Sequence, residues 1–161
     1  MNRRFTGIML AAIAGLAQPS GKADDHPALT AADEAYSAER FEEAAALYRR
    51  DAELGIVAAQ VNLAFMYLDG QGVAQNYQQA ATWFLRAAEQ GNREAQQNVG
   101  LLYQEGKGFA SDYVEADKWF NIAGATENAQ MIEKEMTKEQ VAEARRRASE
   151  WRSDANRTPA R

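Results

Sequence analysis

The sequence predicts an all-α fold in which short helices stack side by side as an α/α superhelix, or solenoid. Three observations lead to this prediction. Residues 59–94 align without a gap to residues 95–130, with 13 identities in 36 positions. Apolar residues recur at helical spacing within each copy. Cysteine is absent and alanine is abundant, a composition that favours packed helices over sheets or disulfide-linked folds. A period of this length indicates stacked supersecondary units.

Each copy is predicted to fold as a helix, a bend and a second helix. In the first copy Ala59, Leu63 and Tyr67 share one helical face, and Gly70 and Gly72 follow that face. Glycine suits such a bend because it adopts positive φ at low cost. A phosphate-binding loop would need a preceding strand and further glycines. The Gly-x-Gly is therefore interpreted as the bend of the repeat.

The second helix of each copy has its own start signal. Asn76 and Asp112 lie at equivalent positions, and each is followed three residues later by Gln79 or Glu115. This spacing predicts an N-cap with a capping-box partner, so that the second helix begins at the same place in both copies.

The flanking segments are less regular. Residues 24–30 are predicted as a linker, and residues 31–58 as a degenerate half repeat with Thr30 as the N-cap of its first helix. Residues 131–152 predict C-terminal capping helices, with Thr137 and Gln140 forming a capping box. On the last helix one apolar stripe should pack on the repeats while Arg145, Arg146 and Arg147 face outward; the stripe consists of Val141, Ala144, Ala148 and Trp151. Residues 153–161 are predicted to be disordered.

The N-terminus has the layout of a secretory signal peptide. A basic stretch, "MNRRFTG", precedes a ten-residue apolar run and a small, polar exit. The apolar run is about half of the roughly 20 residues that a membrane-spanning helix needs. We expect cleavage after Ala23, with Ala17 as the alternative, and a mature protein that is periplasmic or secreted and has no membrane span.

Charge argues against nucleic acid as a partner. The chain has a formal net charge of −5, and removal of residues 1–23 would make it −8. Residues 24–136 hold 19 acids and 8 bases, whereas residues 137–161 hold 4 acids and 7 bases. A body this acidic repels a polyanion, and the arginines at 145–147 have glutamates nearby on one helix.

The repeats resemble the Sel1-like repeat family, which is related to tetratricopeptide repeats. The resemblance covers about residues 31–152, and its motif runs through the chain as Ala59, Leu63, Ala64, Tyr67, Gly70, Gly72, Val73, Asn76, Tyr77, Ala80, Trp83, Phe84, Ala87, Ala88 and Gly91. In the second copy Phe109, Gly124 and Glu127 depart from this pattern. The resemblance implies helix-turn-helix repeats with a C-terminal capping helix, in an exported bacterial member.

The resemblance also implies a function. Members of this kind hold a protein or peptide partner on a concave surface, lined by the first helix of each repeat. The non-core positions of those helices are therefore the predicted partner-binding residues: Val61, Asn62, Phe65, Leu68, Asp69, Gln97, Asn98, Leu101, Gln104 and Glu105. The predicted function is a non-catalytic scaffold or adaptor in the cell envelope, and an inhibitory regulator of an envelope receptor or signalling protein is the alternative.

A hydrolase acting on cell-wall material or β-lactams is the third and weakest hypothesis. His26 is the only histidine and lies beside Pro27 in the predicted linker, so a multi-histidine metal site or histidine-based triad cannot form. Related cysteine-rich proteins have been linked to penicillin hydrolysis, but this chain has no cysteine. No catalytic residue, metal site or cofactor is predicted.

Overall fold

The computed structural model describes residues 27–157, and within this range the chain is entirely helical. Its helices are α1 (Pro27–Ser37), α2 (Phe41–Glu53), α3 (Val57–Asp69), α4 (Tyr77–Glu89), α5 (Arg93–Glu105), α6 (Tyr113–Ala123), α7 (Thr126–Glu133) and α8 (Lys138–Arg157). Each helix from α1 to α6 packs on the next one along the chain, and α8 also packs on α6. The predicted all-α superhelix is confirmed, and a continuous apolar core runs through it from α1 to α6.

The predicted helix ends are confirmed in both repeats. α3 and α5 end at Gly70 and Gly106, which have φ of +74° and +68°. The Oδ1 atom of Asn76 accepts hydrogen bonds from the backbone of Gln78 and Gln79 at 3.1 and 3.0 Å, and Asp112 does the same for α6. The bend and the second helix therefore start alike in the two units, 36 residues apart.

In each predicted capping box, the hydrogen bond from the N-cap backbone N–H to the side chain three residues later is replaced by another contact. The backbone N–H of Asn76 donates to the carbonyl oxygen of Tyr67 at 2.8 Å, and that of Asp112 donates to Tyr103 at 3.1 Å. The bend folds back far enough for the cap to reach the preceding helix, so a side-chain acceptor three residues later is not needed. Glu115 instead forms ion pairs with Lys118 and Arg147.

The second glycine of each bend lies against the preceding helical unit. A Cβ atom added to Gly72 would lie 2.1 Å from the carbonyl oxygen of Phe41, and one added to Gly108 would lie 2.2 Å from that of Tyr77. Phe41 and Tyr77 are the first residues of α2 and α4. Any side chain at these glycines would therefore separate two stacked units.

Two buried glutamines connect the units from the other side. The Nε2 atom of Gln60 on α3 donates to the carbonyl oxygen of Ala52 on α2, and Gln96 on α5 donates to that of Ala88 on α4, both at 3.1 Å. Each glutamine is 3% exposed. Each of these carbonyl groups also accepts a backbone hydrogen bond, from Gly55 or Gly91, so the glutamine adds a second bond that joins the two units.

The N-terminal boundary differs from its prediction. α1 begins at Pro27, so Thr30 lies inside the helix and is not its N-cap, and residues 27–30 are not a linker. Proline is well suited to the first turn of a helix, since its missing N–H has no partner there in any case. The predicted signal peptide and His26 lie outside the described residues. Within residues 27–157 no helix is long and apolar enough to cross a bilayer.

The C-terminal helix packs as its apolar stripe predicts. Ala144 and Ala148 are buried, and the Trp151 ring meets the Trp119 ring of α6 edge-on at 5.9 Å. The predicted capping box is present in both directions between Thr137 and Gln140. α8 continues to Arg157, so the prediction that residues 153–157 are disordered is wrong.

Two of the three consecutive arginines form ion pairs with other helices. Arg145 pairs with Glu133 of α7 at 2.8 Å, and Arg147 pairs with Glu115 of α6 at 2.7 Å. Only Arg146 pairs solely within α8, with Glu143 and Glu150. These side chains therefore join the capping helix to the last repeat, which the helical wheel of α8 alone could not indicate.

A carboxylate is buried in this C-terminal junction. Asp117 of α6 is fully buried, and its Oδ1 atom accepts a hydrogen bond from Asn121 at 2.8 Å. Its Oδ2 atom has no hydrogen-bond partner within the described residues. Burial raises the pKa of Asp117 to about 6; the nearby Glu133 adds to this increase, whereas Arg145 and Asn121 oppose it.

The first prediction tests the contact between units. Gly108→Ala should lower the free energy of unfolding by roughly 2–5 kcal/mol, because the new Cβ both strains a positive φ and overlaps the Tyr77 carbonyl. Gly91→Ala is the matched control: Gly91 has φ +89°, but nothing lies within 4 Å of an added Cβ, so only the strain of about 1–2 kcal/mol remains. Urea denaturation measures both, and equal losses would contradict the contact.

The second prediction concerns Asp117→Asn and pH. An unfolded aspartate titrates near pH 4, so between about pH 4 and 6 the folded chain holds the Asp117 proton more tightly than the unfolded chain does. Stability that depends on this proton is therefore lost as pH rises through that range. The melting temperature of Asp117→Asn relative to the native chain should increase from pH 4 to pH 6.5 and then level off. A difference independent of pH would contradict the assignment, and the exposed Glu89→Gln serves as the control.

Candidate functional site

A shallow pocket of about 170 Å³ opens between the two repeats. The end of α3 and one face of α5 form its sides, while α4 and the bends contribute the remaining contacts. We call this pocket the groove. It is lined by Leu68, Asp69, Gln75, Tyr77, Phe84, Asn98, Leu101, Leu102, Glu105 and Lys107.

Half of the predicted partner-binding residues line the groove. Leu68 and Asp69 come from α3, and Asn98, Leu101 and Glu105 come from α5. They meet because α3 and α5 both pack against α4, which brings residues of the two helices to one pocket. The Asn98 amide donates to the Glu94 carbonyl within its own helix at 2.9 Å.

The other predicted residues lie elsewhere. Val61 is only 6% exposed and belongs to the core, so the prediction that it lies on an accessible surface is wrong. Phe65 is half-buried, and its ring packs edge-on against Phe84 at 4.9 Å. Asn62 is half-buried, and its side chain lies near the Tyr48 hydroxyl group. Gln97 is exposed and Gln104 is half-buried, and neither lines the groove.

The helical wheel missed these placements for a physical reason. α3 packs against α2 on one side and α4 on the other. A wheel separates one apolar stripe from the rest of the helix, but it cannot show that a second neighbour covers part of that remainder. Val61 and Asn62 are covered in this way, whereas Leu68 and Asp69 at the helix end are not.

Sequence analysis also missed part of the lining. Tyr77 and Phe84 belong to α4, the second helix of the first repeat, and Gln75 and Lys107 lie in bends. The Gln75 Nε2 atom donates to the Leu68 carbonyl at 2.7 Å, which fixes the first bend beside the groove. The signal available for Lys107 was its position between the two glycines of the second bend, where the first repeat has Gln71.

The two acidic residues of the groove have different surroundings. Glu105 pairs with Lys107 at 2.8 Å, and the Lys107 ammonium also lies 5.4 Å from the centre of the Tyr77 ring. The Glu105 hydrogen bond is the main cause that raises the pKa of Lys107. By contrast, no hydrogen bond or ion pair reaches Asp69 from the described part of the chain. Partial burial raises the pKa of its carboxyl group.

The groove offers contacts for binding. Its side chains combine apolar surface from the half-buried Leu68 and Leu101 with charges at the rim, an arrangement suited to holding another molecule. Among residues 27–157, no group of three or more histidine, cysteine, aspartate or glutamate side chains is placed to hold a metal ion.

Comparison with known families confirms the resemblance that the repeat motif indicates. The family model described as Sel1 repeat matches residues 57–92 and 93–125. These matches begin at the first residues of α3 and α5, two residues before the windows 59–94 and 95–130 defined from the identities. No curated protein matches the chain.

Two similar solved structures have the same fold. A protective antigen present in uropathogenic Escherichia coli strains, which displays an SLR fold, is 31% identical over 86% of this chain and 33% of its own, with a TM-score of 0.76. A Sel1 repeat protein from Oxalobacter formigenes is 31% identical over 76% of this chain and 55% of its own, with a TM-score of 0.56. This chain thus spans about a third and about half of these two proteins.

Proposed function

Because the chain contains two Sel1 repeats, we propose that it is a non-catalytic interaction module that binds a protein or peptide in the groove. Sel1 repeat proteins are generally protein-interaction modules, and the family is typically a non-catalytic scaffold. We place the interaction in the groove.

The observation that carries the proposal is the apolar surface between neighbouring repeats. Leu68 and Leu101 lie on different helices, are each half-buried, and line the same pocket. Apolar side chains that converge in an open pocket gain binding free energy when a partner covers them. The polar atoms around them, including the amide of Asn98, supply hydrogen-bonding groups for the partner's backbone.

The cell envelope is the proposed location. The basic, apolar and small-residue segments of residues 1–23 have the order that an export signal requires. The same groove serves a scaffold and an inhibitory regulator equally well, and the scaffold is preferred because it needs no second, receptor-binding state.

The third prediction tests the groove. Leu101→Glu should weaken partner capture at least tenfold, because it places a charge in the apolar part of the pocket. Leu54→Glu is the matched control, since Leu54 is 72% exposed at the end of α2 and lies outside the groove. The full chain would be crosslinked in intact cells, and the amount of each captured protein compared between variants.

Circular dichroism shows whether both variants remain helical. If Leu101→Glu captures the same proteins as the native chain in the same amounts, the groove is not the binding surface. Equal loss with Leu54→Glu would have the same meaning, because that substitution leaves the groove intact.

The fourth prediction tests export. Protein recovered from outside the cytoplasm should begin at Asp24, or at Gln18 if the peptidase cuts after Ala17. N-terminal sequencing measures this directly. Recovery of protein that still begins at Met1 would contradict an export signal that is removed.

A further inference from the structure

We propose that the groove binds a peptide segment in which a lysine or arginine lies next to a large apolar side chain, with the basic group paired to Asp69. This inference rests on the proposed function and specifies the partner's chemistry. It follows from a difference between the two repeats at one equivalent position.

The second repeat supplies a cation that the first repeat lacks. Asp69 and Glu105 are the last residues of α3 and α5 and lie 36 positions apart. Lys107 pairs with Glu105 at 2.8 Å. The residue equivalent to Lys107 in the first repeat is Gln71, whose side chain accepts a hydrogen bond from the Tyr36 hydroxyl at 2.8 Å. Among residues 27–157, the Asp69 carboxylate is therefore left without the counter-charge that its equivalent has.

The end of α3 strengthens the preference for a cation. The C-terminal end of a helix carries a partial negative charge, and α3 has no basic residue in its last turn. Asp69 adds a full negative charge at the same place, and partial burial raises its pKa. A basic group from a partner would neutralise both, as Lys107 does at the end of α5.

The remainder of the groove suits an apolar neighbour of that base. An apolar cavity of about 150 Å³ accepts a molecule as large as benzene, and the groove measures about 170 Å³. It therefore has room for one leucine, isoleucine or phenylalanine side chain against Leu68 and Leu101. Asp69 lines the same pocket, so the apolar and basic side chains of the partner must be close in sequence.

The charge of the surrounding body favours the same partner. Residues 24–136 hold 19 acids and 8 bases, and a surface with this balance attracts a basic segment from a distance and repels an acidic one. Binding should therefore weaken as salt is added.

The fifth prediction uses a display library of random linear peptides, selected against the full chain and two variants. The native chain should select peptides with lysine or arginine within two positions of a leucine, isoleucine or phenylalanine. Asp69→Lys should select aspartate or glutamate in place of the base. Glu89→Lys is the matched control, because Glu89 is the exposed last residue of α4 and lies outside the groove, and it should select the same peptides as the native chain.

A selected peptide is then used to measure how much the pairing with Asp69 contributes to affinity. Fluorescence anisotropy should show at least tenfold weaker binding to Asp69→Asn, since a hydrogen-bonded ion pair is lost, and a smaller salt dependence than with the native chain. Circular dichroism confirms that each variant is folded.

The outcomes separate this inference from the proposed function. Selection of peptides without an enriched base, or of the same basic peptides by Asp69→Lys, overturns the pairing with Asp69. If those peptides still fail to bind Leu101→Glu, the groove remains the binding surface. Selection of no peptide by the native chain overturns both the inference and peptide binding in the groove.

Discussion

The contact on which the rest of the fold depends is the approach of each Gly-x-Gly bend to the first residue of the preceding unit's second helix. Gly72 lies on the Phe41 carbonyl and Gly108 on the Tyr77 carbonyl, at distances that leave no room for a side chain. On the other side of each unit, Gln60 and Gln96 bond to the last turn of the preceding helix. Together these contacts with backbone carbonyl groups fix the spacing between units.

This spacing also produces the groove. Since α3 and α5 pack on α4 from successive units held at a fixed distance, Leu68 and Leu101 are brought to the same pocket. The bend that spaces the units contributes Lys107 to the rim, where it pairs with Glu105 and covers the Tyr77 ring. The structural and the binding roles of the bend therefore reside in neighbouring residues, and the residue between the two glycines is free to change from one repeat to the next.

The C-terminal end of the stack differs from its middle because a capping helix covers it. At the C-terminal end, α8 covers α6 with Ala144, Ala148 and Trp151, and Arg145 and Arg147 extend ion pairs to α7 and α6. A terminal unit must end the apolar core with a polar outer surface, and α8 does this. The same junction holds the buried Asp117, whose Oδ2 atom has no partner in the described part of the chain. This carboxylate makes the junction sensitive to protonation, whereas the equivalent position in the first repeat is Ala81.

The sequence by itself determined the helices, their caps and the repeat, because these depend on interactions within about four residues of the chain. Asn76, Asp112 and the Thr137–Gln140 capping box are where local hydrogen bonding places them. The tertiary structure decided which exposed-looking positions are covered. Val61 is buried while Leu68 and Asp69 line the groove, although all three lie off the same apolar stripe. It also decided that no cation within residues 27–157 pairs with Asp69 as Lys107 pairs with Glu105. Burial and pairing of this kind depend on neighbours that are distant in sequence, and a helical wheel contains no information about them.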